Sequence, residues 1–163
     1  MLKKDTFAPR PPMGWNSWDC YGAAVNEEQL LGNAQYVADN LKDYGWEYIT
    51  CDIQWYEPKA VSNFYNKFTE LCMDEYSRLI PAENRFPSSA NGVGFKTIAD
   101  KIHDMGLKFG IHIMRGIPRQ AVHQNTALRG TDVRAREIAQ GFSLWLWNRF
   151  FPLKTRSNGF YFR

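Results

Sequence analysis

The sequence of 163 residues has only three cysteines, Cys20, Cys51 and Cys72. Their number is odd, and none lies at the close paired spacing of a zinc site or a redox pair, so they read as free thiols in a reducing compartment. Uninterrupted apolar runs of 18 residues are absent as well, which argues against a membrane-spanning helix. The opening "MLKKDTFAPRPP" sets prolines and polar residues where a secretory signal needs an apolar core. A cytoplasmic location, with no membrane partner, is the resulting expectation.

A basic surface is also missing, despite a formal charge of +3. Residues 141–163 hold Arg149, Lys154, Arg156 and Arg163 and no acid, so residues 1–140 carry 16 basic against 17 acidic side chains. No basic stripe interleaved with aromatics remains there, and nucleic acid is not an expected partner. The three histidines, His103, His112 and His123, share no helical face, so no metal site is expected.

What is present is an alternation of strands and helices. "PPMGWNSW", residues 11–18, has the extended aromatic character of a first strand. Asn26 can cap a helix with Gln29 as its reciprocal partner, and Leu30, Ala34, Val37, Ala38 and Leu41 then share one face up to the stop at Gly45. Tyr48 to Asp52 reads as a short buried strand. Residues 53–92 show no sustained period, as expected of a functional loop or insertion. A second amphipathic helix carries Phe95, Ile98, Ala99 and Ile102 and stops at Gly106, and "LKFGIHIM", residues 107–114, is a third strand.

This order predicts an α/β fold of parallel strands with right-handed crossovers, either an open doubly wound sheet or an eight-stranded barrel. No Gly-rich phosphate turn follows a strand, and polar and aromatic residues gather just past the strands' C-terminal ends, as at the rim of a barrel. Asp52 ends an apolar strand among Trp55, Tyr56 and Glu57. A carboxylate in that position must be solvated or paired, and an aromatic rim around it suits a carbohydrate, whose ring offers C–H faces and hydroxyls together. Trp15 and Trp18 read equally well as core residues. His112 is either a hydrogen-bond partner of a sugar hydroxyl or a satisfied residue within the barrel. Arg115 and Arg119 could clamp a hydroxyl-rich or anionic substrate, though a salt bridge to a loop acid is the commoner fate of such residues.

"PPMGWNSWDCYG", "YITCDIQWYEP" and "GLKFGIHI" together resemble glycoside hydrolase family 27, the alpha-galactosidase or melibiase group, from about Pro11 to Gln140. The resemblance implies the N-terminal part of a (β/α)8 TIM barrel, about its first three β/α units. It also implies retaining hydrolysis of terminal alpha-galactosides or a related sugar such as a β-L-arabinopyranoside, without a cofactor. Trp18 would line the sugar pocket and Asp52 would bind sugar hydroxyls, with Trp15, Trp55, His112 and Arg115 as further substrate contacts. Two departures stand out. The family's second consecutive Asp is Ile53 here, which cannot accept a hydroxyl hydrogen bond, and its usual Tyr and Asp on the third strand align with His112 and Met114.

A retaining glycosidase needs two carboxyl groups about 5–5.5 Å apart. Only one strand-end acid is in view, and the resemblance places the nucleophile and the acid/base on later strands. After residue 140 the resemblance ends, and "GFSLWLWNRFFPLKTRSNGFYFR" packs eight aromatics into 23 residues with no acid. Residues 1–140 are therefore expected to be a piece of the catalytic domain, and residues 141–163 an aberrant aromatic and basic tail from a frameshift or truncation. Expectations follow: no catalytic residue of its own, an inactive fragment, and a second chain that could supply the missing strands. The alternatives are a non-catalytic carbohydrate-binding protein and a truncated product without function.

Overall fold

A computed structural model describes residues 10–62, 64–66, 69–139 and 150–151 of the chain. The element order over these residues alternates as the sequence predicts. β1 (Met13–Asn16) leads through a one-turn α1 (Trp18–Tyr21) to the long α2 (Glu27–Asn40) and then β2 (Trp46–Cys51); α3 (Lys96–Asp104) precedes β3 (Lys108–Ile111). The three strands form one parallel sheet in the order β1-β2-β3, with β2 central.

Local chemistry accounts for these elements. At the start of α2, Asn26 accepts a hydrogen bond from the Gln29 backbone N–H at 2.9 Å while the Gln29 side chain accepts from the Asn26 N–H at 3.1 Å, a complete capping box. Glu27 and Glu28 lie in its first turn, where the helix dipole favours negative charge. Gly45 (φ 89°) and Gly106 (φ 75°) take the left-handed conformation that lets the chain turn from helix to strand. Gly14 serves packing instead. A Cβ there would lie 2.2 Å from the Tyr48 carbonyl oxygen, so only glycine lets β1 pair this closely with β2.

The core lies between the sheet and α2 and α3. Leu30, Ala34 and Val37 of α2, Ile98 and Ile102 of α3, and Ile49 and Cys51 of β2 are buried together, with Trp15 and Phe109 packed against them. The long stretch 53–92 is not merely a surface loop. Among its described residues the one helical element is a 3-10 turn at Pro87–Ser89, yet it sends Trp55, Tyr56, Leu71 and Phe86 into this core. Its irregular backbone is held by Arg85, which donates from Nη1 to Gln54 O (2.7 Å) and Glu57 O (2.9 Å), and from Nη2 to Ala23 O (2.6 Å) and Val25 O (2.5 Å). One buried guanidinium thereby satisfies four carbonyls on two loops. Burial pulls its pKa below the usual arginine value, while Cys51, Glu57 and Cys72 act in the opposite sense.

Beyond β3, β4 (Ile117–Pro118), α4 (Arg119–Gln124) and α5 (Ala135–Ile138) build a small second cluster around Ile117, Ala121 and Ala135, and β4 pairs antiparallel with β5 (Phe150–Phe151). Apart from that two-residue strand, the tail 141–163 lies outside the described residues. No helix among those described is long and apolar enough to cross a membrane.

Candidate functional site

The C-terminal ends of the three parallel strands converge on Asp52. Asn16, the last residue of β1, donates from Nδ2 to Asp52 Oδ2 at 2.7 Å. His112, one residue past β3, faces Asp52 Oδ1 through Nδ1 at 2.9 Å, and the Ile53 backbone N–H donates to the same oxygen at 2.7 Å. The Asp52 backbone N–H in turn donates to Ser17 Oγ at 2.9 Å. Asp52 is 8% exposed, so its carboxylate is desolvated on most sides, and these three contacts offset that cost.

The sheet itself sets this meeting. In the parallel register Tyr48 lies beside Lys108 and Thr50 beside Gly110, so Asp52 and His112 occupy the next rung. The His112 N–H continues the ladder by donating to Cys51 O at 3.0 Å, and Ser17 N–H does the same toward Thr50 O at 3.0 Å. Asn16 also holds the chain that follows it, because its Oδ1 accepts the Trp18 N–H at 2.8 Å and so fixes the first turn of α1. Trp18 is half-buried, with its ring centroid 5.9 Å from that of Tyr65. One hydrogen-bonded chain therefore runs from Trp18 through Asn16 and Asp52 to His112.

The remaining predicted contacts are placed elsewhere. Trp55 is 3% exposed, set edge-on between Tyr56 and Phe95, and donates its Nε1–H to His112 O at 2.9 Å. Its indole braces the backbone of His112 from within the core instead of standing on the rim. Gln54, at φ 72°, turns the chain just before it and so sends the indole inward. Trp15 also packs against the core, edge-on to Tyr21. Arg115 is exposed in the turn beyond β3, and Arg119 begins α4. Glu57 is 1% exposed and accepts from Asn66 Nδ2 at 2.8 Å. Two members of the cluster, Asn16 and Ser17, escape a reading of acids and aromatics. Their signal is positional, as the polar pair set between Trp15 and Trp18 where the first strand ends.

Chemically, the cluster offers one fixed carboxylate, an imidazole oriented by it and a half-buried indole nearby, which is an arrangement for gripping hydroxyls and a C–H face. Comparison with known proteins supplies the family. Over 91% of this chain and 34% of the other, the structure superposes on a GH27 β-L-arabinopyranosidase from Geobacillus stearothermophilus with 61% identity and a TM-score of 0.88. The chain belongs to glycoside hydrolase family 27. A variant of that Geobacillus enzyme, in complex with arabinose, matches equally well, with 61% identity, a TM-score of 0.87, and coverage of 92% of this chain and 35% of that one. Among curated sequences, a Penicillium simplicissimum protein named probable alpha-galactosidase B is 34% identical over 117 residues, 71% of this chain. The family 27 chain spans about a quarter of the length of such relatives, 23% in the Penicillium case. No family model matches it.

Proposed function

We infer that this chain forms the first three β/α units of a retaining glycoside hydrolase barrel and supplies its sugar-gripping wall. The whole enzyme would hydrolyse a terminal β-L-arabinopyranoside or alpha-galactoside. The observation that carries the reading is the Asp52 carboxylate, held by Asn16, His112 and the Ile53 N–H at the end of the central strand, where barrel enzymes keep their active sites.

The balance between the two sugars falls to the arabinopyranoside. The two share the arrangement of their ring hydroxyls, but arabinopyranose lacks the hydroxymethyl group of galactose. Ile53, where the resemblance expects a second hydroxyl-binding Asp, has no acceptor to offer, and a site with an unmet hydroxyl disfavours the sugar that carries it. The 61% identity to a β-L-arabinopyranosidase supports the same choice.

By itself the chain binds without turnover. Retention requires a nucleophile on one side of the glycosidic bond and a proton donor on the other. Asp52 brings one carboxylate, and Glu57 is buried and engaged with Asn66. The test is to assay the purified chain on 4-nitrophenyl β-L-arabinopyranoside and 4-nitrophenyl alpha-galactoside, and to titrate it with L-arabinose while following tryptophan fluorescence. The expected outcome is no release of nitrophenol above an Asp52→Asn control, together with a saturable fluorescence change that this variant loses. Asp52-dependent turnover would overturn the inactive reading, and silence in both assays would overturn the sugar reading.

A further inference from the structure

We propose that His112 is a specificity-determining residue that recognises one sugar hydroxyl only as a hydrogen-bond donor, because Asp52 locks its ring into the tautomer whose outer nitrogen is an acceptor. The proposal rests on the sugar reading above and specifies how the site reads its ligand.

Three anchors fix the imidazole. The backbone N–H of His112 is bonded to Cys51 O, its carbonyl accepts from Trp55 Nε1, and its Nδ1 faces Asp52 Oδ1 at 2.9 Å. The residue extends the β2–β3 ladder and is braced from the core, so its ring is aimed by the sheet. Which nitrogen carries the hydrogen follows from the carboxylate. Asn16 Nδ2 and the Ile53 N–H already donate to Asp52, so Asp52 acts as an acceptor, and Nδ1 must be the donor in its bond to Oδ1. In a neutral imidazole with hydrogen on Nδ1, Nε2 holds only a lone pair. The side chain is 56% exposed, against 11% for Asp52, so the inner edge of the ring is engaged and the outer edge is open.

This differs in kind from a tyrosine at the same position, the residue the family resemblance leads one to expect. A phenol can donate or accept and adapts to either partner, whereas the Asp52-bound imidazole in its neutral form offers an acceptor alone. A hydroxyl that must donate to it cannot be replaced by fluorine, which has no hydrogen to give. Selection of this kind requires only that the ligand hydroxyl be free to rotate toward Nε2.

The experiment pairs ligand and protein changes on the full chain. Methyl β-L-arabinopyranoside and its 2-, 3- and 4-deoxyfluoro analogues are titrated against wild type and His112→Phe, with tryptophan fluorescence as the readout. One fluoro analogue should bind wild type roughly three- to tenfold more weakly than the parent glycoside, and that gap should close in His112→Phe. Separately, the ring nitrogens of 15N-labelled wild type should show Nδ1 as the hydrogen-bearing nitrogen and Nε2 as the bare one. That measurement stands even if the variant folds poorly. Parent binding without any His112-dependent fluoro penalty, or hydrogen found on Nε2, overturns the proposal and leaves the sugar reading intact. Failure of the parent glycoside to bind overturns both.

Discussion

The two faces of the three-stranded sheet are made from alternate residues of the same strands and have opposite fates. On one face Ile49 and Cys51 are fully buried, with Trp15 and Phe109 packed around them under α2 and α3. On the other, Tyr48 is 38% exposed and Lys108 reaches over its ring toward Glu47. The residues of the candidate site continue this second, open face. Asn16 follows Gly14, Asp52 follows Tyr48 and Thr50, and His112 follows Lys108 and Gly110 at the strand period of two. Cohesion is thus concentrated on Trp15, Ile49, Cys51 and Phe109, and chemistry on Asn16, Asp52 and His112. A shift of register by one residue would exchange the two sets and destroy both.

If that division is right, the largest effect should come from the covered face. Ile49→Ala removes a fully buried branched side chain at the centre of the core, and the expected cost is about 2–5 kcal/mol in urea unfolding. A loss below about 1 kcal/mol would mean that the packing under β2 is loose, and the contrast between the faces would fall with it.

Cys51 sharpens the comparison through pH. Burial pushes its thiol from the ordinary 9.0 up to about 12, with Arg85 pulling it down and Asp52 pushing it up. Between those values the unfolded chain gives up the thiol proton and the folded chain keeps it, so the folded state binds more protons and stability falls as pH rises. The slope contributed by this one group is about 1.4 kcal/mol per pH unit across the window. Unfolding midpoints of wild type and Cys51→Ala, compared from pH 9 to pH 11, should diverge by that slope whatever the constant cost of the small cavity. Parallel curves would show that the thiol ionises as readily in the folded chain as in the unfolded one.

How far the sequence reveals all this depends on whether the cause is local. The capping box of Asn26 and Gln29, the turns at Gly45 and Gly106 and the apolar stripe of α2 are short-range patterns, and the structure realises each of them. Asp52 is legible for the same reason, since a carboxylate closing an apolar strand needs partners. The pairing is not legible, although His112 stands among the sequence candidates, because Asn16 and His112 lie 36 and 60 residues from Asp52 and meet it only through the parallel register. Trp55 shows the limit from the other side. Proximity in sequence to Asp52 suggests a rim residue, but the left-handed turn at Gln54 and the Arg85 clamp behind it direct the indole inward. Neither feature leaves a periodic trace. The core anchors of stretch 53–92 are hidden likewise, because an irregular backbone has no period against which Leu71 or Phe86 could be recognised as buried.

The smallest expected effect belongs to the open face. Tyr48 sits directly beside Ile49 in β2, so Tyr48→Thr changes a neighbour of the most sensitive position while touching only the exposed side of the sheet. Threonine suits a strand as well as tyrosine does, through its branched Cβ. The substitution removes the ring beneath Lys108, whose ammonium lies 4.8 Å from its centroid, but leaves the bond from Lys108 to Glu47 at 2.6 Å in place. That exposed bond, the main reason the Lys108 pKa lies above its ordinary value, is screened by solvent and salt. Unfolding in urea should therefore give a stability within about 0.5 kcal/mol of wild type, with an unchanged dependence on denaturant. A loss comparable to that of Ile49→Ala would mean that Tyr48 is covered in solution. Sedimentation at several concentrations would then tell whether a second copy of the chain provides the cover, and the two faces would differ in what buries them, not in whether they are buried.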